Sequence, residues 1–267
     1  MKLLTLCALS ALTLLTACGG GSGGGKSIDI NATPTLDNTG ILIPSIAEED
    51  ANGNPIQTVY KIVIGGKTYQ EGDTLSVKGM KQGFNELPYS SSQTYQDGYT
   101  FESKGKIRLY RQDYSYVWGE LSQWDNETFG NTPLDDFSII TAGGTYTRAI
   151  DMPRTGTYTY EGQAFNGKEN NGKLSYTVDF WSRRGAGSIT GLKETGRIEL
   201  KSAPIRTDID QNRNLRGISG QASAENFAHG DYSLGFFGPG AKEIAGFANL
   251  GSSEDLTEAE VGFAGKR

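Results

Sequence analysis

Apolar and polar residues alternate with a period of two along much of the chain beyond residue 57. This period is that of a β-strand with one buried face, because successive side chains of a strand point to opposite sides. In the second half, glycine, asparagine and other turn-forming residues divide the alternation into eight short segments at close spacing. The predicted strands cover residues 157–165, 174–181, 187–192, 196–201, 215–225, 231–237, 242–250 and 258–264. Eight strands in this arrangement predict an antiparallel up-and-down β-barrel.

The interior of an eight-stranded barrel is only wide enough for the side chains of its own strands. We therefore expect a closed interior with no room for a small ligand, and we expect any partner to bind on loops and outward strand faces. Bulky residues on the predicted strands supply the filling, namely Tyr158, Tyr160, Leu174, Tyr176, Val178, Phe180, Phe237 and Phe247.

The first half of the chain has weaker strand signals and predicts an irregular β-rich lobe. Gly65 and Gly66 follow an apolar run and predict a two-residue hairpin turn. Residues 81–96 lack a clear period, so we expect an irregular segment that contains a short helical turn. Residues 148–155, with Pro153 among them, form the expected linker between the lobes. The strands predicted in this half cover residues 41–43, 58–64, 106–112 and 113–118.

The N-terminus has the pattern of a bacterial export signal. Lys2 precedes an apolar run over residues 3–15, which is shorter than the about 20 apolar residues that span a bilayer. Residues 15–18 (Leu-Thr-Ala-Cys) resemble the lipobox of bacterial lipoproteins, and the resemblance implies cleavage before Cys18 and acylation of that cysteine. Two or more acyl chains anchor a protein stably. The glycine-rich residues 19–25 are then expected to act as a flexible tether.

These patterns together predict an all-β protein with four segments. We expect a lipoprotein signal peptide over residues 1–17 and a glycine-rich tether and loop over residues 18–56. The irregular β-rich N-terminal lobe is expected over residues 57–150, and the eight-stranded antiparallel barrel over residues 155–267.

Charge and cysteine content exclude several classes of function. Removal of Lys2 with the signal takes the formal net charge from −6 to −7. An acidic body favours neither nucleic acid nor anionic headgroups as a partner. Cys7 leaves with the signal and Cys18 carries lipid, so the folded body has no thiol. A disulfide, a thiolate metal site and a cysteine nucleophile are therefore not expected.

Few residues are arranged as a catalytic or metal site would require. His229 is the only histidine; an exposed loop position is its simplest interpretation, with a binding-surface or pH-sensitive role and a haem ligand as alternatives. Residues 208–212 resemble the start of a calcium loop, but Arg213 occupies the position that needs glycine, which favours a solvated turn. We predict no catalytic residue, no metal site and no cofactor.

Aromatic residues are dense in the predicted strands of the N-terminal lobe. Tyr110, Tyr114 and Tyr116 alternate near Trp118 and Trp124. Packing into a core on one strand face is the simpler explanation. The alternative is an exposed patch of the kind that forms hot spots for protein binding, so Trp118 and Trp124 are candidate contact residues.

Residues 231–246 carry a resemblance to a known family. Their sequence, with Phe-Phe-Gly-Pro-Gly at its centre, resembles the barrel signature shared by transferrin-binding protein B and the complement factor H-binding lipoproteins of Gram-negative pathogens. The resemblance to the factor H-binding proteins extends to other parts of the barrel and, more faintly, to the first half. The other matching segments are residues 160–165, 172–180, 218–220, 67–75 and 109–112.

The resemblance implies a monomeric lipoprotein without enzymatic activity on the extracellular face of the outer membrane. It implies two β-rich lobes, export by a dedicated surface-lipoprotein translocator, and a host serum protein, like factor H or transferrin, as partner. A lipoprotein for iron or haem acquisition, related to transferrin-binding protein B, is the alternative. A structural coat lipoprotein is a third possibility.

The same family suggests where the partner binds. Members that bind factor H use two glutamates of the barrel, which align here with Ala228 and Asn249. His229 and Asp231 lie beside these positions, so His229, Asp231 and Asn249 are the predicted contacts in the barrel. Because both glutamates are replaced, we expect factor H itself to bind weakly or only from a particular host.

Overall fold

The computed structural model describes residues 40–42, 48–49, 55–56, 58–70, 72–95, 100–125, 135–210, 215–252 and 257–267. The described chain is almost entirely β-strand, and its strands pair antiparallel in a six-stranded sheet, two small two-stranded sheets and a closed barrel. The predicted all-β fold is therefore confirmed. No helix in these residues is long and apolar enough to cross a membrane. The signal, the tether and the lipobox cysteine lie outside the described residues.

The C-terminal half forms a closed barrel in which each strand pairs with its neighbours in sequence and the last strand pairs with the first. All eight predicted strands are present, and one of them is much longer than its pattern of residues 196–201 suggested. The strands are β11 (Thr157–Phe165), β12 (Gly172–Asp179), β13 (Arg184–Thr190), β14 (Ile198–Asp210), β15 (Leu215–Ala224), β16 (Gly230–Phe237), β17 (Glu243–Ser252) and β18 (Thr257–Lys266).

Side chains fill the barrel interior as expected, and its buried tyrosines have hydrogen-bond partners. The hydroxyl of Tyr160 donates to the carbonyl of Ala241 at 2.6 Å, and the hydroxyls of Tyr176 and Tyr232 lie 2.9 Å apart. Burial raises the pKa of Tyr176. Residues of the predicted filling that belong to this core or pack against it are Tyr158, Tyr160, Leu174, Tyr176, Val178 and Phe180.

Two residues predicted to fill the barrel lie outside its core. On β16 the inward residues include Leu234 and Phe236, so the next residue, Phe237, points outward and packs against the N-terminal lobe. Phe247 is likewise absent from the interior core, which takes Ile244 from the same strand. The prediction assigned Phe237 and Phe247 to the wrong face of their strands, because both faces of these strands carry apolar residues.

The strands of the N-terminal half are β1 (Gly40–Leu42), β2 (Glu48–Glu49), β3 (Pro55–Ile56), β4 (Thr58–Ile64), β5 (Lys67–Gln70), β6 (Thr74–Ser76), β7 (Gly83–Tyr95), β8 (Thr100–Arg111), β9 (Ser115–Asp125) and β10 (Asp135–Gly144). Six of them form the main sheet of the N-terminal lobe, in the order β10-β9-β8-β7-β4-β5. Gly65 and Gly66 have φ values of 57° and 84°, as the predicted two-residue turn between β4 and β5 requires.

Strand β7 corrects the prediction of an irregular segment over residues 81–96. Its serines obscure the period of two, yet they pair across the sheet, as the hydroxyls of Ser91 and Ser103 do at 2.7 Å. Pro88 has no N–H to donate, but β4 ends opposite Tyr89. At the position of Pro88 the neighbour is a turn, and the N–H of Gly65 donates to the Pro88 carbonyl at 2.9 Å. A proline is therefore accommodated in a central strand.

The sheet of the N-terminal lobe packs on both faces. One face covers the core of its own lobe, which includes Ile107 and Leu109. The other face lies on the outside of the barrel, where Phe84 meets Phe165 with ring centroids 5.6 Å apart. The residues of this contact between the lobes are Phe84, Tyr110, Tyr114, Val117, Phe137, Ile139, Ala142, Tyr146, Phe165, Phe237, Ala245 and Ala264.

The predicted linker is bound to the barrel. The hydroxyl of Thr147 donates to the carbonyl of Gly238 at 2.7 Å, a short 3₁₀ turn follows over Ala149–Asp151, and Met152 is buried in the barrel core. The segment connects two lobes that already share an apolar contact. That an independently folding unit begins near residue 155 stays a prediction.

Candidate functional site

The predicted barrel contacts lie on an outward row of side chains across four strands. Asp231 pairs with Gln221 on one side and with Asn249 on the other, and Asn249 pairs with Glu260. Directly paired residues of antiparallel strands present their side chains on the same face. The residue next to Asp231 on β16, Tyr232, is buried in the barrel. The row therefore faces outward, and Gln221, Asp231 and Asn249 are exposed.

His229 extends this row into the loop before β16. It is exposed, as is Ala228 beside it, and it stands two residues before Asp231. Gly230 lets β16 start close against β17, since a Cβ at this position would lie only 1.8 Å from the carbonyl oxygen of Asn249. The fold thus brings His229, Asp231 and Asn249 together at one end of the barrel.

The far end of the row reaches the N-terminal lobe. The carboxylate of Glu260 accepts a hydrogen bond from the backbone N–H of Ile139 on β10. The Cδ1 atom of Ile139 would lie 2.9 Å from a Cβ at Gly262, so β10 packs closely beside β18. A partner bound at Asn249 is therefore close to both lobes. Sequence reasoning missed Gln221 and Glu260, because only the strand register places them in this row.

Trp118 does not belong to any exposed surface. Its side chain is 3% exposed and packs in the core of the N-terminal lobe, as does that of Tyr116. Tyr110 and Tyr114 pack in the contact between the lobes. Burial is the physical reason to omit Trp118 from the candidate surface, and core packing accounts for all four of these aromatic residues.

Trp124 lies on β9 opposite Ser103. It is therefore placed on the sheet of the N-terminal lobe and not on the barrel row of His229, Asp231 and Asn249.

The outward row offers groups for recognition by hydrogen bonds and charge. It presents two carboxylates, two amides and an imidazole on a surface formed by paired strands. Within the described ranges no group of three or more His, Cys, Asp or Glu side chains is placed to hold a metal ion. Such a row suits contact with the surface of another macromolecule.

Comparison with known proteins identifies a family model that matches part of this chain. Residues 150–248 match the family model described as factor H binding protein, C-terminal. The matched range covers strands β11 to β16 and the first part of β17. The resemblance inferred from residues 231–246 is thereby confirmed, and the matched range includes Ala228, His229 and Asp231 and ends one residue before Asn249.

Solved structures that match part of this chain include two transferrin-binding proteins B. One is a tryptophan-to-alanine mutant of the vaccine antigen from Haemophilus parasuis Hp5, with 14% identity and a TM-score of 0.46. The other is intact Ap-TbpB with its N and C lobes, with 14% identity and a TM-score of 0.45. Each match covers 82% of this chain and 47% of the other, so this chain spans about half the length of either.

Proposed function

We propose that this protein is a surface-exposed outer-membrane lipoprotein that binds a host protein through the outward row at His229, Asp231 and Asn249. The match of residues 150–248 to a domain family named for factor H binding is the observation that carries the proposal. The exposed position of the row supports it, because the residues beside the aligned family positions are accessible to a large partner.

A macromolecular partner fits the fold better than a small molecule does. The barrel interior is occupied by its own side chains, so a ligand within it would have to displace buried tyrosines and phenylalanines. The outward row instead lies on a surface of paired strands that borders the N-terminal lobe. Specific protein interfaces commonly bury about 800 Å² on each partner, and a surface that continues from the barrel onto β10 suits such an area.

Factor H from a suitable host is the first candidate ligand, with a transferrin-like protein as the second. Ala228 and Asn249 stand where factor H-binding members have glutamates. Loss of one partner of a buried interfacial charge pair typically costs about 2–5 kcal/mol. We therefore expect weaker binding to factor H than a member with both glutamates achieves, or a preference for the factor H of one host.

Surface plasmon resonance with the lipidated full chain tests the ligand. Factor H, transferrin and whole serum from several hosts are passed over the immobilised protein. A triple variant, His229→Ala with Asp231→Ala and Asn249→Ala, is expected to lose binding at least tenfold. A control variant on the opposite side of the barrel, Lys173→Ala with Thr177→Ala on β12, is expected to bind as the wild type does.

Two results separate the parts of this proposal. Tight binding that survives the His229, Asp231 and Asn249 substitutions would show that the site is misplaced. Absence of any serum ligand would argue against a host-binding function, and hemin absorbance would then distinguish the haem alternative.

The lipid anchor is tested by itself. Cys18→Ala is expected to abolish incorporation of labelled palmitate and to detach the protein from the outer membrane, because that thiol is the proposed site of acylation. Failure of the wild-type protein to incorporate palmitate would rule out the anchor and leave the binding surface to be judged separately.

A further inference from the structure

Trp181 is the most conspicuous side chain that neither the core nor the outward row uses. It lies in the turn between β12 and β13 and is 76% exposed. Exposed large hydrophobic side chains are limited, within the described residues, to Trp181 and Ile150, the latter at 78%. Ile150 precedes β11, and the backbone N–H of Phe180 donates to the carbonyl of Gly156 at 3.0 Å. Both exposed residues therefore belong to segments that close the same end of the barrel.

The turn that carries Trp181 is well fixed by hydrogen bonds. The carboxylate of Asp179 accepts from the N–H groups of Trp181 at 2.9 Å and Ser182 at 3.3 Å, and from the Ser182 hydroxyl at 2.8 Å. The N–H of Ile205 donates to the carbonyl of Arg183 at 2.8 Å. An ordered turn loses little conformational freedom when its tryptophan is buried by contact.

Positive charge surrounds Trp181. In an up-and-down barrel alternate turns lie at the same end, so the turn over residues 180–183 shares its end with the turn between β16 and β17, with the start of β11 and with the end of β18. Of the carboxylates there, Asp151 is paired with Arg148 at 2.6 Å, Asp179 holds the turn, and Glu243 is buried. Exposed cations on these segments are Arg154, Arg183, Arg184, Lys242, Lys266 and Arg267.

The opposite end of the barrel has a different character. Its turns carry the cations Lys168, Lys193 and Arg197 together with the carboxylates Glu169, Glu194 and Glu225, and His229 stands in the adjacent loop. Positive charge is thus concentrated at one end of a chain whose formal net charge is −6. By sequence, the hairpin of β14 and β15 carries Arg206, Arg213 and Arg216 against Asp208 and Asp210, so it adds one net positive charge.

Strand β1 begins with Gly40, the first residue that the structure describes. Gly40 pairs with Ser76, the last residue of β6, and the chain after Ser76 leads to Met80. The carbonyl of Met80 accepts a hydrogen bond from the guanidinium of Arg111 at 2.9 Å. The next residue, Gln112, donates through its amide to carbonyls at the start of β17 and the end of β18. Gly40 therefore lies on the same side of the molecule as the basic end of the barrel.

We propose that this basic end, with Trp181 at its tip, rests on a lipid surface that bears anionic phosphate headgroups. The proposal rests on the anchoring part of the proposed function. Arginine guanidinium groups bind phosphate, and tryptophan is favoured at the boundary between water and acyl chains. Gly40, the first described residue, lies on the same side of the molecule as this end. The end that carries His229 then points away from the membrane, where a large host protein can reach it.

Fluorescence quenching by brominated lipids tests the contact in the lipidated full chain. The protein is inserted in vesicles of phosphatidylglycerol and phosphatidylcholine or of phosphatidylcholine alone, each with brominated acyl chains. We expect strong quenching only in the anionic vesicles at low salt. Trp181→Ala is expected to remove most of it, and Arg154→Glu with Arg183→Glu to reduce it several-fold. The matched variant, Lys193→Glu with Arg197→Glu at the opposite end, is expected to leave it unchanged.

Each failure has a distinct meaning. A chain that floats with the vesicles but shows no quenching, or the same quenching in Trp181→Ala, would overturn the membrane contact and leave the anchor intact. A chain that does not float with the vesicles would overturn the anchor and this contact with it. Loss of serum-protein capture in Trp181→Ala, without quenching in the wild type, would instead make the basic end a protein-binding surface and would overturn the proposal.

Discussion

Glu243 links the barrel to the N-terminal lobe through three hydrogen bonds. Its side chain is 2% exposed, and its two oxygens accept hydrogen bonds from the N–H groups of Asp113 and Tyr114, at 3.0 Å each, and from the Ser115 hydroxyl at 2.8 Å. A buried charge is tolerated only when it is paired or well hydrogen-bonded. Here three donors from the N-terminal lobe satisfy a carboxylate from the barrel.

Replacement of this carboxylate by an amide should weaken the contact. In Glu243→Gln the amide N–H₂ faces at least one donor from β9 or the turn before it, and a buried donor without an acceptor typically costs about 1–3 kcal/mol. We expect a loss of that order in the free energy of unfolding, measured by urea denaturation. Glu199→Gln, at an exposed position on the barrel, serves as the control and should cost little. A Glu243→Gln protein as stable as the wild type would contradict the role of Glu243.

The same residue predicts a dependence of stability on pH. Burial raises the pKa of Glu243 above its ordinary value of 4.5 in the folded protein, so the folded state binds a proton more readily than the unfolded state. The stabilising contribution from this group is fully present below pH 4.5 and is lost as the pH rises through the raised pKa. The wild type should therefore gain stability relative to Glu243→Gln as the pH falls through this window. A gain in the opposite direction, in denaturation curves from pH 8 to pH 5, would exclude this assignment.

At the scale of the strands, close pairing of β16 with β17 places the candidate site. The first residue of β16, Gly230, leaves no space for a side chain, because its Cβ would meet backbone atoms of Asn249 and Leu250. Backbone cannot move aside as the end of a flexible side chain can, so this position requires glycine.

An alanine at Gly230 should therefore disturb both stability and binding. Overpacking of this kind typically costs about 1–3 kcal/mol, and we expect Gly230→Ala to lower the melting temperature and to displace Asp231 and Asn249 relative to each other. Gly79→Ala is the matched control, because nothing lies within 4 Å of a Cβ at Gly79. Thermal unfolding and the binding assay together provide the measurement, and equal melting temperatures for the two variants would count against the close approach.

At the scale of the whole molecule, the two lobes share an apolar contact that neither forms alone. Phe237 packs on Tyr146 with ring centroids 4.6 Å apart, and Phe165 meets Phe84 and Phe137. The barrel closes through its own eight strands. The N-terminal lobe covers an apolar part of its outer face, and this part is exposed when that lobe is absent. The barrel is therefore expected to fold alone and to expose this face when it does.

A fragment of residues 155–267 tests that expectation. It should show a β-type circular dichroism spectrum and cooperative thermal unfolding, with a lower midpoint than the full chain and stronger binding of a hydrophobic dye. Phe237→Ser should reduce dye binding by the fragment while it destabilises the full chain, since the same side chain is exposed in one and buried in the other. A fragment that is disordered by itself would contradict the proposed boundary.

Much of the barrel could be predicted from the sequence, because its information is local. Alternation with a period of two and turn residues such as Gly238 and Gly240 mark where strands begin and end, and eight such strands close by pairing with their neighbours. The strands of the N-terminal lobe were harder to predict from the sequence. Strand β7 lacks apolar alternation, and its serines and Pro88 become understandable only beside the strands and the turn that they meet.

The sequence alone thus determined the all-β class, the eight strands of the barrel, the export signal pattern and the resemblance of residues 231–246 to a family. Tertiary structure decided which side of each strand faces inward. On β16, Phe236 is buried in the barrel interior and Phe237 is buried against the N-terminal lobe. Because both neighbouring residues are apolar, alternation of apolar and polar residues cannot show which of them points inward. Burial of Glu243 and exposure of Trp181 depend likewise on which surfaces meet, and this is set by contacts between residues far apart in the chain.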